Sequence, residues 1–235
     1  FYKKIFSTIL LMNIKENNYF FLYCKYKKKY LNLKRNIGGS ISNQELKNIF
    51  TSFLAPIKTQ EDLELSKKNN VTNTYGTITP DGIKTLIDNL DISKDDSFID
   101  LGSGIGNVVI QFAINTNVKK ADGVEFLKSR IEKSKEYIEK FKEKYYNKIN
   151  KISIKQDDIK NVNFDDYNIF FTCSTCFPNE LMTIINDKAE KNINLKYLIT
   201  QKKLSENTKL KLLKTIDLNC SWDSTCEHYI YTNIL

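Results

Sequence analysis

The chain has 235 residues, 41% of them apolar and 27% charged, enough for one substantial domain with a real core. Three prolines and eight glycines exclude a collagen-like or Pro/Gly-rich class. No uninterrupted apolar run reaches the roughly 18 residues of a membrane-spanning helix.

The net charge of +8 is uneven: residues 1–40 hold nine bases and one acid, Glu16, while the other 195 residues carry 27 bases and 27 acids. In this first segment aromatics interleave with lysines, as in Lys25-Tyr26-Lys27-Lys28-Lys29-Tyr30, up to a hinge at Gly38-Gly39-Ser40. Residues 1–35 have three readings. One is a nucleic-acid contact, in which lysines release counterions and aromatics stack on bases. Another is part of an organelle-targeting region, although such peptides are usually Arg- and Ser-rich. The third is a solvated extension of a Lys-rich chain.

Residues 43–54 carry a helical stripe, Leu46, Ile49, Phe50, Phe53 and Leu54, which Pro56 ends. Residues 58–74 are polar and read as a connection. From Tyr75 a regular alternation begins. Thr79 is placed to cap a helix with Pro80 at its first position and Asp81 in its first turn, and Ile83, Leu86, Ile87 and Leu90 form its apolar face. Strands are predicted near 97–101, 120–125, 151–156, 168–172 and 195–200. Helices are predicted over 106–116, over 127–146 and from about Pro178. The last segments, 212–222 and 226–234, read as two strands joined by a short turn. The expected fold is therefore α/β: a Rossmann-like, seven-stranded, mostly parallel sheet with a C-terminal antiparallel hairpin. The expected domains are 1–40, a basic aromatic segment; 41–74, a helical extension; and 75–235, the α/β domain.

The strongest chemical signal is Asp100-Leu101-Gly102-Ser103-Gly104-Ile105-Gly106-Asn107, at a strand end and opening a helix. An α/β sheet binds its ligand there, and glycines let the backbone approach it closely. The spacing is G-x-G-x-G, with Asp100 two residues before the first glycine. That carboxylate would repel a pyrophosphate and attract an ammonium, such as the one on the methionine part of S-adenosylmethionine. Glu125 closes the next strand, where a carboxylate can accept hydrogen bonds from ribose hydroxyls. Asp157 or Asp158 follows the third strand and could accept an adenine amino group.

These residues resemble class I methyltransferases, and within them the disruptor-of-telomeric-silencing (DOT) family of non-SET histone lysine methyltransferases and its protist relatives. Four more stretches carry the resemblance. Tyr75-Gly76-Thr77-Ile78-Thr79 is similar to the loop over the cofactor's methionine end. Phe170 to Phe177 resembles the catalytic loop, Tyr197-Leu198-Ile199-Thr200 the fifth strand, and Ser221-Trp222 with Tyr229-Ile230-Tyr231-Thr232 the terminal hairpin. The likeness covers about residues 70–235. It implies S-adenosyl-L-methionine as cofactor and a protein lysine, with a histone or nucleosome as candidate, as acceptor. It further implies catalytic roles for Tyr75, Cys173 and Ser174. Cofactor binding falls to Tyr75, Thr77, Asp100, Gly102, Ser103, Gly104, Gly106, Asn107, Glu125, Asp157, Asp158 and Cys173. Substrate contact falls to Phe177, Trp222 and Tyr229. The chain departs from the family at Thr77, where a glutamate is usual, and at Cys173-Ser174-Thr175, where asparagines are usual.

Two other functions stay open: an RNA or small-molecule methyltransferase, and a cofactor-binding module without activity. The Asp/Asn-Pro-Pro-Tyr/Phe pattern of base-amine methylation is replaced here by Cys173-Ser174-Thr175-Cys176-Phe177-Pro178. Cys173-x-x-Cys176 with Cys220, Cys226 and His228 lacks the two tight pairs of a structural zinc site, so no metal is expected. The odd total of five cysteines predicts reduced thiols and an intracellular protein, in nucleus, cytoplasm or an organelle. His228, the only histidine, is expected to have a surface or packing role.

Overall fold

A computed structural model describes residues 59–233 except Asn70, Thr72 and Asn73, together with Gln44, Glu45, Lys47 and Asn48. The three readings of residues 1–40 lie outside the described residues. So does most of the stripe at 43–54, of which the four described residues are helical. The fold below lies within the unit Ile41–Leu235.

Helix α1 (Gln60–Asn69) occupies a span that reads as a connection in the sequence. It lacks a strong apolar stripe. Thr59 Oγ1 accepts from the Asp62 N–H at 3.1 Å and caps its first turn. Burial pushes the Asp62 carboxyl up, yet hydrogen bonds with Ser129 and Thr59 outweigh it and hold it below its ordinary value. The fixing contacts are thus polar and partly long-range.

Helix α2 (Pro80–Asp88) forms as its start signals predict. Thr79 Oγ1 accepts from the Gly82 N–H at 3.2 Å, Pro80 opens the first turn, and Ile83, Leu86 and Ile87 are buried. Then follow β1 (Ser97–Leu101), α3 (Asn107–Asn115), β2 (Lys120–Glu125), α4 (Lys128–Ile149), β3 (Ile152–Gln156), β4 (Ile169–Thr172), α5 (Asn179–Lys191), β5 (Tyr197–Thr200), β6 (Lys211–Leu218) and β7 (Cys226–Thr232). Two boundaries differ from the expectation. The helical dihedrals of α4 break at Tyr145, near the predicted end, but the helix runs on to Ile149. Burial of Ile149 and the Lys148 ammonium bonding to Thr116 O and Asn117 Oδ1 at 3.2 and 2.9 Å hold that last turn. Strand β6 ends at Leu218, short of Trp222, because residues 219–221 turn away to pair with the loop before α2.

The seven strands form one sheet in the order β3-β2-β1-β4-β5-β7-β6. The first five are parallel, and β7 enters antiparallel between β5 and β6. Strand residues alternate between two cores. Phe98, Ile169, Phe171, Ile199 and Ile230 pack with α2 and α3 on one face. Ile99, Leu101, Phe170, Leu198 and Tyr231 pack with α5 on the other. Phe98 stacks on Phe112 with ring centroids 3.8 Å apart. The chain order reverses between β1 and β4, so their carboxyl ends diverge into a crevice, the usual ligand position in such sheets.

Thr79 also donates to Asn219 Oδ1 at 2.8 Å, so one hydroxyl caps α2 and ties it to the terminal hairpin. Thr79→Ala is expected to cost about 0.5–2 kcal/mol, measured as a lowered midpoint in urea with an unchanged slope.

Candidate active site

The turn after β1 takes the conformation its glycines permit. Gly102 and Gly104 have φ of +86° and +55°, where a Cβ is strained. The Gly102 and Ser103 N–H groups both donate to Val124 O at 2.9 Å, which bends the chain back over β2. Gly106 then caps α3. This turn, the ends of β2 and β4, Asn69, Val71 and residues 74–78 line a cavity of about 610 Å³.

Two of the carboxylates that line it, Asp100 and Glu125, have very different surroundings. Asp100, opposite Gly123 on β2 and Phe171 on β4, is 2% exposed, and its Oδ1 has no hydrogen-bond partner among the described residues. Burial first, and the Glu125 charge second, push its carboxyl well above the ordinary value. Glu125 is 5% exposed but well held. Its Oε1 accepts from the Phe126 and Leu127 N–H groups and its Oε2 from the Gly104 N–H, each at 2.9 Å. Arg130 Nη1 lies 3.7 Å from Glu125 Oε2. Past β3, Asp158 lines the cavity, whereas Asp157 turns inward to its own loop and accepts from the Asp158 N–H and Asn161 Nδ2 at 2.7 Å.

Three aromatic rings line the remaining wall, and each sits on a glycine. A Cβ would come within 2.4 Å of the Trp222 ring at Gly76, 2.9 Å of Phe177 at Gly102 and 2.9 Å of Tyr75 at Gly104. Tyr75 is held neutral, its phenol raised above the ordinary range by burial. The loop carrying Tyr75 and Gly76 is pinned to the terminal hairpin. Thr77 N–H donates to Ser221 Oγ at 3.2 Å, and Ser221 N–H returns to Thr77 O at 2.8 Å. Thr77 Oγ1 also accepts from Asn107 Nδ2 at 3.3 Å.

Of the residues singled out from the sequence, Tyr75, Thr77, Asp100, Gly102, Ser103, Gly104, Glu125, Asp158, Cys173, Phe177 and Trp222 line this one cavity. Gly106, Asn107, Asp157, Ser174 and Tyr229 do not. Ser174 is fully buried, and its Oγ accepts from the Gln201 and Lys202 N–H groups at 3.1 and 2.9 Å. Tyr229 pairs with Thr200 across the sheet and donates its hydroxyl to Glu227. Burial and the Asp100 charge push the Cys173 thiol up to about 12, so it is neither a nucleophile nor a base at neutral pH. Cys173, Cys176, Cys220 and Cys226 are free, and no group of three or more potential ligands is placed to hold a metal among the described residues. His228 lies in the core: its ring stacks near Phe171, Nδ1 is 2.8 Å from Cys226 O, and burial lowers its pKa.

The sequence reading missed Arg130. Its side chain approaches Glu125, donates to Thr74 O at 3.2 Å and lies 5.4 Å over the Tyr75 ring, joining the β2 carboxylate to the loop above the cavity. The available signal was that it is one of two arginines in a chain rich in lysine, five residues past the acidic strand end. Arginine serves such multi-donor contacts better than lysine.

The family described as histone methylation protein DOT1 matches residues 57–207. The chain belongs to this family. Two curated relatives agree with the DOT1 match. The chain is 29% identical over 170 residues to the "Histone-lysine N-methyltransferase, H3 lysine-79 specific" of Caenorhabditis elegans, covering 67% of this chain and 18% of that protein. It is 39% identical over 51 residues to the protein of the same description from Drosophila melanogaster, covering 22% of this chain and 3% of that one. The chain thus spans less than a fifth of the length of either relative. Among solved structures, the methyltransferase domain of bacterial CtHen1-CN superposes with a TM-score of 0.52 at 12% identity, covering 66% of this chain and 99% of that one. That likeness concerns the fold alone, a Rossmann-like α/β sheet. The DOT1 match spans the Tyr75 loop, the glycine turn, Glu125 and the loop after β4, and ends before the terminal hairpin that supplies Trp222.

A buried acid whose pKa is raised on folding destabilises the folded state as pH rises above its ordinary value. Asp100→Asn is therefore expected to raise the melting temperature of the ligand-free protein at pH 7. The gain should vanish on acidification towards about pH 4, read in a pH series of thermal unfolding.

Proposed function

We propose that the chain is an S-adenosylmethionine-dependent methyltransferase whose acceptor is a protein lysine, with a histone as the foremost candidate. The observation that carries this reading is the buried Asp100 carboxylate in the cavity wall, its Oδ1 without a hydrogen-bond partner among the described residues, which fits an ammonium and disfavours a phosphate. Family membership and the two histone-lysine methyltransferase relatives support the acceptor class. A chromatin acceptor implies a nuclear protein, and no described helix is long and apolar enough to cross a membrane.

In this reading Asp100 meets the amino end of the cofactor, Glu125 receives ribose hydroxyls, and Asp158 stands on the side of the base. When bound, the cofactor supplies an electrophilic methyl on a sulfonium. The chain's part is placement and exclusion of water. Tyr75, Phe177 and Trp222 offer an apolar wall for the acceptor's alkyl stem. A lysine must arrive neutral, which from a pKa near 10.4 costs about 4.6 kcal/mol at pH 7. Desolvation among these rings lowers that cost. Neither Tyr75 nor Cys173 serves as the base, because burial keeps both protonated.

Titration calorimetry with S-adenosylmethionine, followed by tritium transfer onto nucleosomes, free histones, lysate protein and RNA, tests the proposal. Label on protein and none on RNA is expected. Label on RNA overturns the acceptor class, and binding without any transfer leaves a cofactor-binding module. Glu125→Ala should weaken cofactor binding by about 1.5–3 kcal/mol, roughly ten- to a hundredfold; unchanged affinity removes Glu125 from the ribose role.

A further inference from the structure

The loop after β4 is shaped almost entirely from outside itself. Within it, the Phe177 N–H donates to Ser174 O at 2.9 Å. The remaining bonds come from two residues that follow β5. Gln201 and Lys202 both donate their N–H groups to the buried Ser174 Oγ, at 3.1 and 2.9 Å. The Lys202 ammonium donates to Phe177 O. Gln201 Oε1 accepts twice, from Cys173 Sγ at 3.5 Å and from the Thr175 hydroxyl. Lys202 O is itself fixed by the Thr200 hydroxyl at 2.7 Å. The sequence reading named neither residue.

The two bonds to Gln201 have a chemical consequence. A thiol or a hydroxyl has one proton to donate. Cys173 and Thr175 line the cavity, whereas Gln201 does not, and it accepts the hydrogen bonds of both. What these groups keep for a ligand is acceptor capacity. Burial holds the Cys173 thiol protonated, so this arrangement persists through neutral pH.

We propose that Gln201 is a positioning residue that sets the polarity of this wall: by accepting the hydrogen bonds of Cys173 and Thr175 it leaves an acceptor-only surface beside Asp100, which favours a sulfonium over a neutral thioether. The inference rests on the cofactor reading above and assigns the discrimination between methyl donor and demethylated product partly to a residue that touches neither.

The test uses the full chain and needs no methyl acceptor. Calorimetry gives the dissociation constants of S-adenosylmethionine and S-adenosylhomocysteine for wild type, Gln201→Met and Gln201→Glu. Methionine keeps the length but removes the strong acceptor; glutamate keeps the acceptor. A general loosening of the loop would weaken both ligands together, whereas the proposal concerns their ratio. Relative preference for the sulfonium is expected to fall about three- to tenfold in Gln201→Met, and to be kept or raised in Gln201→Glu. A ratio within twofold of wild type in Gln201→Met, or a collapsed ratio in Gln201→Glu, overturns the proposal. If Gln201→Met does not fold, Thr175→Val removes one of the same acceptors: a lowered ratio supports the proposal and an unchanged ratio overturns it. Failure of wild type to bind either ligand overturns the cofactor reading and this inference with it. Binding with no change of ratio overturns the inference alone.

Discussion

The site is organised around a buried carboxylate whose Oδ1 has no hydrogen-bond partner among the described residues. Asp100 is the penultimate residue of β1, between β2 and β4, where the backbone is engaged in ladders on both sides and water has little access. A charge in such a place is costly unless a partner arrives. Glu125, one strand away, has three backbone N–H groups and a nearby arginine. The contrast separates two tasks. Glu125 is structurally satisfied, so its carboxylate is held in place before any ligand binds. Asp100 has no such support on Oδ1 among the described residues, and its burial costs the folded state stability at neutral pH.

A cavity that relies on a buried charge must also keep water out, and here closure is a long-range product. Residues 75–79 cover the glycine turn but hold their place through the hairpin far along the chain: Thr77 with Ser221, Thr79 with Asn219, and Trp222 against Gly76. Strand β7 enters antiparallel between β5 and β6, which brings residues 219–222 back to the mouth of the crevice. Arg130 works from the other side, linking Glu125 to Thr74 O. The cover is thus attached to the sheet both through Glu125 and through the terminal hairpin.

What was legible in the sequence follows from the range of the interactions concerned. The Thr79-Pro80-Asp81 start, the strand ending at Leu101 and the glycine turn are specified within a few residues, and the structure has them at those positions. The seven strands and the hairpin follow from alternation of short apolar runs. Helix α1 was missed because its support is a cap and polar contacts with α4 in place of a stripe. Arg130, Gln201 and Lys202 were missed because each acts on residues distant in sequence. Ser174 shows the converse. The motif singles it out, yet its hydroxyl is spent on the Gln201 and Lys202 backbone, a fact no local pattern contains.

The aromatic wall and the glycine turn are one device. Gly102 and Gly104 are constrained twice, by left-handed φ and by the rings of Phe177 and Tyr75 at 2.9 Å from a would-be Cβ. Replacing either glycine both strains the turn and displaces a ring, so the backbone that approaches the ligand and the side chains that shield it cannot vary separately. The same holds at Gly76 and Trp222, where the ring occupies the space a Cβ would take. Trp222 is still 45% exposed, so one side of its ring is fixed by the glycine while the rest reaches the surface. The loop after β4 lies under less of this constraint. It has no such backbone requirement, and its shape is imposed by Gln201 and Lys202. Its side chains can therefore change without disturbing the glycine–ring pairs.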